Sequence, residues 1–157
     1  MAHITIEYMI MIPVLIMQIF LFPLTASIIM DTWTDSRTTI ELQSTAGHMG
    51  SSIQQLYYTM NRASNGSMKV VLDTPPLIEG RAYTTTLSHI TNLDSSYKLM
   101  NVTLKLIGTK DQTSTLVTLG SNVDWQDNLA FNSTAYSPSL VATKSSNSIV
   151  ITFGGMA

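Results

Sequence analysis

From Tyr8 to Met30 the chain runs for twenty-three residues without a charged side chain, bounded by Glu7 and Asp31. Wound as a helix at about 1.5 Å per residue, that run is about 34 Å long, the thickness of a bilayer's hydrocarbon core. Pro13 and Pro23 fall inside it. Each removes a backbone donor, which in a soluble helix costs roughly 3 kcal/mol. In lipid or a packed bundle, neighbouring groups re-satisfy the freed carbonyls, so the helix is expected to continue through both prolines with a bend or loosened turn near them.

After Asp31 the pattern becomes one-sided. Ile40, Ala46, Met49, Ile53, Leu56, Tyr57 and Met60 recur at three- and four-residue steps, which predicts an amphipathic helical stripe. Asn65-Gly66 is a suitable stop, because either residue takes the left-handed conformation that ends helices. The two halves together predict one helix over residues 4–63, about 90 Å long by the same rise. Gly47 and Gly50 are its weak points.

From Met68 the period falls to two. Strands are predicted at Met68–Leu72, Arg81–Ile90, Tyr97–Ile107, Thr113–Leu119, Asn122–Gln126, Leu140–Thr143 and Ser148–Phe153, with turns at Gly108–Gln112, Gly120-Ser121 and Lys144–Asn147. Val102, Leu104 and Leu106 face one way, and Thr103, Lys105 and Ile107 the other. The expected fold is α+β: a long N-terminal helix, apolar then amphipathic, followed by an antiparallel β-sandwich of six to eight strands. The expected domains are a stalk helix over 1–65 and a head over 66–157.

Composition sharpens this. The chain holds 18 Ser and 21 Thr, and nearly all its charge follows residue 30. A formal charge of −2 with Lys and Arg scattered singly provides no basic stripe for nucleic acid. The absence of cysteine excludes disulfides and thiol chemistry. The first seven residues have no Lys or Arg and the apolar run exceeds the ~7–15 residues of a cleavable secretory signal, so the segment reads as a permanent part of the protein. No serine sits in a nucleophile elbow, no Gly-rich phosphate loop appears, and His3, His48 and His89 are far apart, so no enzyme, cofactor or metal is expected.

Glu7 asks for a reason, since a carboxylate at the edge of an apolar helix is costly to bury without a cation. The string His3-Ile4-Thr5-Ile6-Glu7-Tyr8, followed by Met9-Ile10-Met11-Ile12, resembles the start of archaeal type IV pilins and related archaeal filament subunits. In that family a class III signal peptide is cut just before such a sequence, and a long apolar helix follows. Counted from His3, Glu7 stands fifth; counted from Met1, seventh. The resemblance implies that Glu7 meets the N-terminal amine of a neighbouring subunit, beside Tyr8. The uncharged run, too long for a core helix and interrupted by two prolines, itself leads to the expectation that assembly proceeds by packing of residues 8–30, with Ile16 and Leu21 central in it.

Three sequons follow, at Asn65-Gly66-Ser67, Asn101-Val102-Thr103 and Asn132-Ser133-Thr134. Asn65, at the helix-to-sheet junction, and Asn132, in a polar loop, are expected to carry glycan sooner than Asn101 inside a strand; hydroxyl-linked sugars on Thr84-Thr85-Thr86 are a weaker expectation. The functional expectation is a filament subunit: membrane-spanning as a precursor, a helical homo-oligomer outside the cell afterwards, used in adhesion. An archaellin-type motility filament and a monomeric membrane-anchored binding domain are the alternatives.

Overall fold

The computed structural model describes residues 2–90, 96–125, 129–134 and 138–154, with side chains from Met9 onward. Helix α1 spans Ala2–Arg62 and continues through Pro13 and Pro23. Eight strands follow: β1 (Gly66–Val71), β2 (Tyr83–Ile90), β3 (Tyr97–Leu106), β4 (Gln112–Gly120), β5 (Val123–Trp125), β6 (Leu129–Asn132), β7 (Ser139–Ser145) and β8 (Ser148–Gly154). They form two four-stranded sheets, ordered β1-β7-β8-β5 and β4-β3-β2-β6. The fold is thus the expected α+β arrangement of a long helix and a mostly antiparallel sandwich. One pair departs from the antiparallel rule, for β5 lies parallel to β8.

The chain divides into two compact units, Met1–Arg37 and Thr38–Ala157. In the second unit the inner faces follow directly from alternation. Tyr83, Thr85 and Leu87 of β2 stand opposite Leu106, Leu104 and Val102 of β3, and all six are buried. In the other sheet Leu140 and Ala142 of β7 stand opposite Phe153 and Ile151 of β8. Phe131 of β6 and Phe153 of β8 meet edge to face with ring centroids 4.5 Å apart, which joins the two inner faces. The C-terminal part of α1 completes the same core: Leu42, Ala46, Met49, Ile53, Leu56, Tyr57 and Met60 form one apolar cluster with both sheets.

Two expectations are corrected here. Ile40 is not part of the buried stripe, being 64% exposed, while Thr38, Leu42 and Thr45 are inside. At 100° per residue Ile40 lies about 200° from both Thr38 and Leu42, on the opposite side of the helix. Strand β6 was not anticipated; its four residues pair with Thr84–Leu87 of β2 and place Asn132 at a strand end where a loop was expected. Strand β5 agrees with the expected segment over Val123–Trp125, and Gln126 lies outside the described residues.

Tight turns are set by backbone conformation. Ile78 and Arg81 exchange both backbone hydrogen bonds at 2.9 Å around Glu79 (φ 47) and Gly80 (φ 73). Two consecutive positive φ angles are the signature of the mirror-image turn that suits strand twist, and Gly80 supplies the second at no steric cost.

Candidate assembly surface and glycosylation sites

Between Met9 and Met30 every described side chain is exposed, and the sixteen large apolar ones among them are 49–79% accessible. A face this long exceeds by far the few hundred Å² of contiguous apolar surface that monomeric soluble proteins carry. The helix is long and apolar enough to cross a membrane, with mean hydropathy 2.2 in its best window and none of that window buried.

Hydroxyls within this run and just beyond it bond back to the helix. Thr25 donates its hydroxyl to the carbonyls of Leu21 and Phe22 at 3.0 and 2.9 Å, Thr32 to Ile28 at 2.8 Å, Thr34 to Met30 at 3.0 Å and Ser36 to Thr32 at 2.8 Å. Such back-bonding lets a hydroxyl enter a water-free setting without an orphaned donor. Gln18 is different. It is the single side-chain amide in the uncharged run, and it lies among the exposed Leu15, Ile19, Phe22 and Pro23.

Ile16 and Leu21 are half exposed on this surface, 50% and 49% accessible. Glu7 and Tyr8 lie on the helical backbone of α1, and their side chains fall outside the described residues. The charge-bearing end and the apolar centre are therefore on one continuous element.

The three sequons differ in setting. Asn65 is exposed between the end of α1 and the start of β1. Asn132 is exposed, and its Oδ1 accepts from Thr134 N at 3.3 Å and Thr134 Oγ1 at 3.2 Å. That local turn brings the sequon hydroxyl onto the asparagine side chain. Asn101 is half-buried within β3; its Nδ2 donates to Thr103 Oγ1 at 3.3 Å, and its Oδ1 is enclosed. The threonine run is split by the pleat: Thr84 and Thr86 point outward and are half-buried, whereas Thr85 is fully buried and donates to Met49 Sδ at 3.7 Å. A sugar on Thr85 is thereby excluded.

His48 is exposed on α1. His89 stacks on Trp125 with centroids 3.9 Å apart, and its Nε2 lies 3.8 Å from Asp124 Oδ1, which also sits 3.6 Å from Lys98 Nζ. Among the described residues no three His, Asp or Glu side chains gather where a metal ion would sit. No family model, curated protein or solved structure matches this chain.

Proposed function

We propose that this chain is the structural subunit of an extracellular, type IV pilus-like filament, built by packing of the N-terminal helices and used in surface adhesion. The observation that carries the reading is the uninterrupted exposure of the apolar run from Met9 to Met30. At about 1.5–3 kcal/mol for each large apolar side chain fully removed from water, covering what is still open there is worth on the order of 10 kcal/mol or more.

Lipid covers it first and copies of the same helix afterwards. The transfer exchanges one apolar solvent for another, so the driving force is helix packing and interhelical hydrogen bonding, with Gln18 available for the latter. Contacts that are heterologous and do not close produce an open filament in place of a ring. The sandwich forms the outer sheath, glycan on its sequons adds solvation, and Glu7 pairs with a neighbour's amine as the charged element of the core.

Electron microscopy of material sheared from cells expressing the tagged chain tests this. Filaments labelled through the tag are the expected result. A chain that stays wholly in the membrane fraction, with no labelled filament, overturns the reading in favour of a monomeric anchored domain. A labelled filament whose loss stops swimming and leaves attachment intact replaces adhesion with motility.

A further inference from the structure

Strand β4 closes one edge of its sheet, with β3 as its partner among the described residues. Its sequence, Gln112 to Gly120, has no charged residue and no proline, and its register with β3 runs without a bulge from Tyr97 opposite Gly120 to Lys105 opposite Gln112. Natural sheets guard long open edges with charge, proline, bulges or brevity. The other three edges are guarded in this way. Strand β5 has three residues and carries Asp124, β6 has four, and β1 carries Lys69.

The open edge has a defined set of backbone groups. Leu106 N donates to Asp111 O at 3.0 Å, which makes that pair hydrogen-bonded. Antiparallel pairs alternate every residue, so Thr113, Thr115, Val117 and Leu119 bond to β3, while Ser114, Leu116 and Thr118 turn their N–H and C=O groups to the edge. The side chains of those three are exposed on the sheet's outer face, and Leu116 is 59% accessible at their centre.

We propose that β4 docks against β4 of a second copy, antiparallel, with Leu116 on the two-fold axis. The strand is complementary to itself in that register. On the outer face Leu116 meets the second copy's Leu116 and Ser114 meets Thr118, so apolar faces apolar and hydroxyl faces hydroxyl; Thr115 and Val117 lie on the inner face, where Val117 is already buried. Like charges, which would oppose self-pairing, are absent from the strand. The contact is isologous and closes at two, joining the four-stranded sheets into one of eight strands. It uses a surface separate from residues 9–30 and stands whether or not those residues assemble.

The test uses the full chain in detergent, which has no native cysteine. Leu116→Cys places two thiols on directly opposed residues with Cα atoms about 5.5 Å apart, inside the disulfide range. Mild oxidation should convert it to a covalent dimer, at twice the 17.2 kDa of the chain on a non-reducing gel. Ser114→Cys and Thr118→Cys should each stay monomeric alone, being four residues out of line with themselves, and should dimerise when mixed. Circular dichroism of each variant confirms the fold. A Leu116→Cys chain that remains monomeric overturns the proposal and leaves the edge to a strand of another protein. Equal dimerisation by Ser114→Cys alone overturns it too, because it places the contact in another register.

Discussion

The Tyr57 hydroxyl donates to Asn122 Oδ1 at 3.1 Å, and Asn122 in turn donates to Asn61 Oδ1 at 3.1 Å, so the last turns of α1 are tied to the β4–β5 turn by side chains. The position works because Gly120 has no Cβ: one added there would run into the same hydroxyl and lie 2.9 Å from Asn122 Oδ1. Tyr57→Phe should cost about 1 kcal/mol, the net value of one hydrogen bond. Gly120→Ala should cost more, about 1–3 kcal/mol, since it displaces the ring as well. Urea unfolding of both variants checks the order. Equal midpoints would mean that the ring moves aside without strain.

Burial pushes the Tyr83 phenol above its ordinary value of 10, and a smaller opposing pull comes from a hydrogen bond with the Thr74 side chain. The neutral hydroxyl donates to Pro75 O at 2.9 Å, a bond that the phenolate cannot make. The folded state therefore holds its proton at a pH where the unfolded chain has lost it. The stabilising contribution is complete below about pH 10 and falls away as pH rises through the folded value. Tyr83→Phe should be less stable at neutral pH and show a shallower loss above pH 10, measured by thermal unfolding across an alkaline series.

The periodicity of the second half of α1 and of β2, β3 and β8 was legible because each buries one face, and a buried face writes its period into the sequence. Strand β6 was not, since four residues are too short for alternation to show and its pairing with β2 is set by contacts distant in sequence. Ile40 misled for the opposite reason, for it is apolar yet lies across the helix from Leu42. Of the candidate surface, the apolar run was plain from the absence of charge. That Thr25 within the run, and Thr32, Thr34 and Ser36 beyond it, bond back to the helix required the geometry.

A carboxylate at the centre of the apolar run should prevent assembly. Ile16→Asp or Leu21→Asp places one where lipid or a dry bundle must take it, at roughly 2.5–3.5 kcal/mol for each chain on membrane-insertion scales. Filament yield by electron microscopy should drop to background for both, and normal filaments from both would remove the packing proposal. Glu7→Gln keeps the shape and removes the charge, so it should slow assembly while circular dichroism of the sandwich is unchanged.

The sandwich's outer surface should carry glycan at Asn65 and Asn132 before Asn101. Asn65 is exposed beyond the end of α1, and Asn132 is exposed with the Thr134 hydroxyl against it, whereas Asn101 is enclosed at Oδ1 between neighbours on the sheet. A head with so few charges relies on its hydroxyls for solvation, and glycan at a used sequon would add to it. Intact mass of the purified subunit decides occupancy, and the variants Asn65→Gln, Asn132→Gln and Asn101→Gln assign it. Loss of mass in the first two and none in the third is the expected outcome. A wild-type mass equal to the bare polypeptide would leave all three sequons unused.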